Sequence, residues 1–204
     1  MEVDDRILTE AEAGTEPVPL FVRWFDAARA SGTALPEAMT LATATPDGRP
    51  SARVVLLKDF GPDGFVFYTN YESRKAKELL LNPRAALVFH WTALERQVRI
   101  EGLVERTSSE DAAAYFVTRP RESQLGAWAS PQSREVDSRA TLEARAAERA
   151  EEFAGRDVPV PPYWGGYRVV PEWIEFWQGR RGRLHDRLVF ERIADGWRRY
   201  RLAP

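Results

Sequence analysis

The 204-residue chain contains no cysteine, only two histidines and only three lysines, Lys58, Lys75 and Lys77. The missing thiols exclude disulfides, Cys-based zinc sites and thiol nucleophiles together, and they suit a reducing compartment. His90 and His185 stand alone, with no acidic or histidine cluster at ligand spacing around either, so no metal site is expected. Net charge is also small. The 29 basic and 31 acidic residues sum to -2, which gives no overall pull toward nucleic acid or an anionic membrane. No apolar stretch is long enough for a secretory signal or a membrane span, so a cytoplasmic protein is expected. G-x-G-x-x-G, G-x-x-x-x-G-K-[ST] and G-x-S-x-G are absent, which removes the main support for a Rossmann site, a P-loop or a serine hydrolase.

What is present is enough for one core: 44% of the residues are hydrophobic and 29% charged. Residues 1–18 are acidic, lack apolar periodicity and end in Pro17-Val18-Pro19, and they read as a mobile arm before a single domain over 19–204. Leu20, Phe21, Trp24, Phe25 and Ala28 recur at helical spacing. Short β-rich runs then alternate with turn chemistry: Met39 to Ala44, Arg53 to Lys58, Phe65 to Thr69, Ala85 to His90 and Arg96 to Glu105. A helix from Arg74 to Leu81 interrupts them. Helices are expected from the capping box at Thr107 to Glu110 as far as Thr118, and from Arg139 to Phe153. Strands return at Tyr167 to Val170, Trp173 to Gln178, Leu188 to Arg192 and Trp197 to Leu202. The fold class is mainly β with flanking helices, an antiparallel sheet curled into a barrel.

Three constellations carry chemistry. Ser73-Arg74-Lys75 opens a helix directly after the strand ending Tyr68-Thr69, and it puts two cations where the helix dipole is already positive. The segment is either a serine cap with solvated charges or a site for an anion, which would reverse the penalty. Tyr115 and Arg119 share a helix face with Ser123 just beyond Pro120, a set suited to a phosphate dianion or, more simply, a polar surface. Arg181, Arg183, His185 and Arg187 alternate, so an extended segment would present four basic groups on one face, as a charged edge strand or against an anion. Arg53 and Lys58 bracket an apolar strand, and strict alternation sends them to opposite faces. Gln97, Arg99 and Glu101 share a strand face, as do Trp173, Glu175 and Trp177.

Read in order, the motifs resemble the pyridoxine (pyridoxamine) 5'-phosphate oxidase family. They are R-V-V-L-L-K at 53–58, F-Y-T-N at 67–70, S-R-K-A at 73–76, R-Q-V at 96–98, Y-F-V-T-R-P-R-E-S-Q-L-G-A-W-A-S at 115–130, Q-S at 132–133, W-G-G-Y at 164–167, I-E-F-W-Q-G at 174–179, R-L-H-D-R at 183–187 and R-L-A-P at 201–204. The resemblance implies a homodimeric split β-barrel with FMN in a cleft between subunits. Arg53, Tyr68, Thr69, Arg74, Lys75, Gln97, Gln132, Ser133, Trp177 and Arg187 match FMN-contacting positions. Lys58, Tyr115, Arg119 and Ser123 match the site for the substrate phosphate. Arg183 and His185 match the residues facing the pyridine ring, Arg183 holding the substrate and His185 supporting that pose.

The implied activity is FMN-dependent oxidation of pyridoxamine or pyridoxine 5'-phosphate by dioxygen, with hydrogen peroxide as co-product. The alternatives are a related flavin oxidase of phenazine biosynthesis acting on a dihydrophenazine carboxylate, and a non-catalytic flavin-binding protein. Pyridoxine phosphate oxidases usually carry a basic N-terminal segment whose Arg and Tyr cover the substrate. This chain departs from that pattern, beginning Met1-Glu2-Val3-Asp4-Asp5-Arg6.

Overall fold

Pro17 and Pro19 fit the first turn of a helix, where a missing N–H costs nothing. In the computed structural model, which describes residues 7–204, they start α2 at Pro17, earlier than the apolar periodicity suggests. That helix, Pro17–Ala30, follows the short α1, Glu10–Ala13. It buries Leu20, Phe21, Trp24, Phe25 and Ala28 on one face. The Phe21 ring centroid lies 4.9 Å from Phe60, 4.9 Å from Phe65 and 5.2 Å from Phe89, so the helix plugs the curled sheet with aromatic edges.

The sheet has nine strands, all pairing antiparallel: β1 Ala38–Ala44, β2 Pro50–Leu56, β3 Asp59–Gly61, β4 Gly64–Asn70, β5 Arg84–Trp91, β6 Arg96–Arg106, β7 Trp164–Gln178, β8 Asp186–Ile193 and β9 Gly196–Arg201. The path runs β2-β1-β5-β6-β7-β4-β3, and β8 and β9 continue from β7. Just past β2, Lys58 N–H donates to the Val66 carbonyl at 2.9 Å, bringing the two ends of that path together. The two strands expected at 167–170 and 173–178 are one. Pro171 breaks the sequence pattern, but it stands opposite Gly102 where the β6–β7 register slips at a bulge, a place that tolerates proline. A Cβ on Gly102 would collide with the Val170 carbonyl, so only glycine permits that close approach.

Helix α3, Arg74–Leu81, has the expected bounds. Helix α4, Ser109–Thr118, starts one residue later than the capping box suggests, with Ser108 accepting from Asp111 N–H. Sequence reading missed α5, Arg121–Ala129: Pro120 ends α4 and at once serves as the N-cap of the next helix. Helix α6, Arg139–Glu152, buries no residue, in keeping with its weak apolar content. A second small core gathers Ala112 and Phe116 of α4 with Phe153, Val158 and Trp164, and Leu125, Ala127 and Trp128 of α5 pack against it.

The expectation of a mobile arm over 1–18 needs correction from residue 8 onward; Met1 to Arg6 lie outside the described residues. Leu8 and Ala13 are buried, and Thr9 forms a reciprocal capping box with Glu12. Arg201 donates to Glu10 Oε1 at 2.6 Å and to the Leu8 carbonyl at 2.5 Å, and Arg199 donates to the carbonyls of Glu10 and Gly14. Partners some 190 residues away in sequence hold this segment, so local composition could not reveal them. No helix among the described residues is long and apolar enough to cross a membrane.

Candidate active site

β4 delivers Tyr68 and Thr69 to the mouth of the barrel, and the following turn places Ser73 at the N-cap of α3. Ser73 is fully buried, yet its hydroxyl caps nothing and has no hydrogen-bond partner among the described residues. The first turn carries Arg74 and Lys75 and no acidic residue. Lys75 is buried and donates to Thr69 Oγ1 at 3.1 Å, with no carboxylate paired to it among the described residues. Burial pushes its pKa down, and the neighbouring Arg53 guanidinium pushes it the same way. An unpaired buried hydroxyl, a buried ammonium and a helix start with free N–H groups together make an anion cradle.

Beneath it lies the carboxylate of Glu78, one α-helical turn along from Arg74. Oε1 accepts from Arg74 Nε at 2.8 Å; Oε2 accepts from Thr43 Oγ1 at 2.5 Å, Ser51 Oγ at 2.6 Å and Arg53 at 3.2 Å. Burial alone would raise the pKa of this group. Hydrogen bonds from Ser51, Thr43, Arg74 and Arg53 outweigh it and bring the pKa down to about 2.

The second constellation adjoins the first. Tyr115 stacks on Tyr68 at 4.3 Å, and Tyr68 stacks on Trp164 at 5.3 Å. Arg119, at the end of α4, lies over the Trp164 ring at 4.9 Å, with one guanidinium nitrogen buried and without a partner. Its desolvation pushes its pKa down. Lys58 reaches the same cleft, 5.8 Å from the Tyr115 ring centre, while Arg53 turns toward Glu78, so the two cations serve different places as alternation requires. The cleft, about 440 Å³, is lined by Lys58, Tyr68, Thr69, Lys75, Tyr115, Arg119, Ser123, Gln132 and Trp164 among others. Gln132 is held there by Thr69 Oγ1 and Asn70 N–H, at 3.2 and 3.3 Å. Ser133 is exposed, in a left-handed backbone conformation.

Gln97, Trp177 and Arg187 lie side by side across β6, β7 and β8. The extended reading of 181–187 fails: residues 181–183 form a single turn in which Gly182 and Arg183 take positive φ, at 68° and 61°, so the four basic groups do not share a strand face. The His185 ring packs 4.6 Å from Trp177, and its Nδ1 accepts from Arg180 N–H at 3.0 Å. The buried Glu175 accepts from Arg187 at 2.5 Å and from Arg99 at 3.1 Å. None of Gln97, Trp177, Arg183, His185 and Arg187 lines the cleft. The candidate residues of one chain therefore fall into two separate groups, two candidate half-sites. Glu78 is the residue of this arrangement that sequence reading does not single out, its i, i+4 spacing from Arg74 being the one available signal, and Trp164 enters only as part of the W-G-G-Y motif.

A family model described as pyridoxamine 5'-phosphate oxidase matches residues 25–152, and one described as the pyridoxine 5'-phosphate oxidase C-terminal dimerisation region matches residues 164–204. A curated protein of Rubrobacter xylanophilus named pyridoxine/pyridoxamine 5'-phosphate oxidase is 62% identical, over 95% of this chain and 90% of that one. One of the same name from Sphingopyxis alaskensis is 60% identical over 98% and 92%. Among solved structures, PhzG from Burkholderia lata 383, in complex with tetrahydrophenazine-1-carboxylic acid, superposes with a TM-score of 0.93 at 33% identity, covering 99% of each chain. A pyridoxamine 5'-phosphate oxidase-related, FMN-binding protein from Nostoc punctiforme shares the fold, with a TM-score of 0.74 at 18% identity over 94% of this chain and 100% of that one. Family models that together take in the β4–α3 cradle, the α4 site and the β7–β8 strands, with relatives this similar along nearly the whole length, settle the kinship: the chain belongs to the pyridoxamine 5'-phosphate oxidase family.

Proposed function

We propose that this chain is an FMN-dependent oxidase that converts pyridoxamine or pyridoxine 5'-phosphate to pyridoxal 5'-phosphate. The observation that carries this reading is a pair of buried polar groups without partners, the Ser73 hydroxyl and one nitrogen of Arg119, at two adjacent anion sites beside Tyr68 and Thr69. Burying such groups unpaired is costly unless a ligand satisfies them. Two sites call for two phosphate-bearing guests, a cofactor and a substrate.

The residues at the α3 start fit FMN. Arg53, Arg74 and Lys75 would neutralise its phosphate, with Thr69 and Tyr68 beside it. Bound FMN supplies the hydride acceptor for the substrate C4' carbon and the route for electrons to dioxygen, yielding hydrogen peroxide and, from the amine with water, ammonia. Lys58, Tyr115, Arg119 and Ser123 would hold the substrate phosphate, two fixed cations and two hydroxyls against a dianion. Arg183 and His185 would come from a second copy of the chain to face the pyridine ring, with Gln97, Gln132, Ser133, Trp177 and Arg187 completing the flavin site. The hydrogen bond into His185 Nδ1 leaves Nε2 as the nitrogen available to substrate. A homodimer follows, because the two half-sites are separate within one chain.

The likeness to PhzG favours one second reading, a phenazine-type oxidase on the same cofactor site. Anaerobic addition of pyridoxine phosphate, pyridoxamine phosphate and a dihydrophenazine carboxylate to the purified yellow protein decides between them. Bleaching by the phosphorylated pyridines supports the proposal. Bleaching by the phenazine precursor alone overturns it in favour of the rival, and a flavin that nothing bleaches points to a carrier.

A further inference from the structure

We propose that Glu78 is a positioning residue for cofactor binding: its carboxylate fixes Arg53 and Arg74 in the geometry that receives the flavin phosphate. The inference rests on the FMN reading above. Arg53 and Arg74 lie 21 residues apart on different elements, and among the described residues the one group ion-paired to both is Glu78, with one oxygen for each. Thr43 and Ser51 add their hydroxyls to the oxygen that takes Arg53, and both also donate to or accept from the same ion-pair network. The Glu78 side chain is only 5% exposed, whereas Arg74 is 58% exposed and Arg53 20%; the anchor is buried and the arginines reach outward from it. A free arginine would sample many rotamers, and ordering it at the moment of binding weakens affinity.

The charge count agrees. Arg53, Arg74 and Lys75 contribute three positive charges and Glu78 removes one, leaving two for a phosphate monoester dianion. Glu78 thus opposes the anion electrostatically while organising its ligands, and the two effects have opposite signs when it is replaced. If charge alone mattered, Glu78→Gln would tighten FMN binding.

The test is titration of apoprotein with FMN and with riboflavin, which lacks the phosphate, followed by quenching of flavin fluorescence. For Glu78→Gln the FMN Kd should rise about 10- to 100-fold, as expected when charge-assisted hydrogen bonds to the phosphate lose their alignment, while the riboflavin Kd stays within about twofold of wild type. In an Arg74→Ala background the same substitution should cost less, because one of the two arginines it positions is gone. An unchanged or lower FMN Kd, or an equal rise for riboflavin, overturns the proposal. Should Glu78→Gln not fold, Ser51→Ala loosens the same carboxylate from the strand and should raise the FMN Kd several-fold; no change there overturns it too. A wild-type apoprotein that binds riboflavin and FMN equally overturns the phosphate reading itself, an outcome distinct from a variant that behaves like wild type.

Discussion

The two half-sites are built on opposite principles. Around α3 and α4 the candidate cations face the cleft with unmet demands: Lys75 is buried beside a threonine, and Arg119 has a buried nitrogen with no partner among the described residues. Along β7 and β8 the candidate arginine is satisfied in advance, since Arg187 donates to the buried Glu175 and to the Ala203 carbonyl. The Glu175 hydrogen bond raises the Arg187 pKa, whereas burial lowers that of Arg119. The first half is primed to receive anions within a single chain. The second is a finished surface on which Arg183, the residue proposed to reach a ligand held by the other copy, stands on an exposed turn.

The largest effect expected from this contrast is at Arg183. Arg183→Ala should lower kcat/KM for pyridoxine phosphate by about 10²–10³-fold, as for removal of one oriented electrostatic contact to a reacting substrate. FMN affinity, measured separately by fluorescence quenching, should change little, because the phosphate cradle belongs to the other half. Normal turnover would remove Arg183 from the site.

Acid stability sharpens the same contrast through Glu78. Its folded pKa of about 2 lies below its ordinary 4.5. Below pH 4.5 the unfolded chain takes up a proton that the folded protein refuses. The stabilisation is therefore complete above pH 4.5 and is lost as the pH falls through about 2, amounting to about 3 kcal/mol. Denaturant unfolding of wild type and Glu78→Gln across that window should show the variant with the flatter profile. Parallel profiles would mean that the hydrogen bonds to Glu78 do not hold in solution.

Arg119 and Arg187 give the direct test. Arg119→Met removes a desolvated, partly unpaired cation, so KM for the phosphorylated substrate should rise about 10- to 100-fold while the apoprotein melts no lower than wild type. Arg187→Met takes one of two partners from buried Glu175 and should cost about 2 kcal/mol of stability, some 4–8 °C in Tm. If both variants lose stability equally, the distinction between a primed and a satisfied half-site fails.

What could be read from the sequence follows how local each feature is. Ser73, Arg74 and Lys75 are consecutive, and Tyr115, Arg119 and Ser123 span little more than two helical turns, so spacing alone brings each set forward as a candidate anion site, beside the readings of a capped helix with solvated charges and of a polar surface, and the resemblance assigns the phosphates. The failures are non-local or depend on one backbone choice. Pro171 looks like a strand end until Gly102, 69 residues away, provides the bulge opposite it. Pro120 ends one helix and caps the next. The alternation at 181–187 holds only if the chain is extended, and Gly182 at positive φ turns it instead. Glu78 carries no local mark beyond its i, i+4 spacing from Arg74, because nothing nearby in sequence indicates that Thr43, Ser51 and Arg53 converge on its other oxygen.

The smallest expected effect concerns the N-terminal segment, which joins the satisfied half and not the primed one. Leu8 N–H donates to Asp186 Oδ2 at 3.2 Å, Arg201 donates to Oδ1 at 2.8 Å, and Asp186 directly follows His185. Arg201 also holds Glu10 and the Leu8 carbonyl, so Arg201→Ala frees one side of Asp186 and loosens the segment, which Arg199 and the Leu8 N–H still tether. Half-exposed ion pairs contribute little singly, and a network of three partner residues on one guanidinium should be worth about 1 kcal/mol, or some 2–4 °C in Tm at low salt. Raising the salt to 1 M should erase most of that difference, since the Debye length falls to about 3 Å. FMN affinity should not move, because no Arg201 contact reaches the α3 cradle. A modest rise in KM without a change in FMN Kd would show the segment acting through the turn that carries Arg183 and His185, and a change in FMN Kd would show that the two halves are not independent.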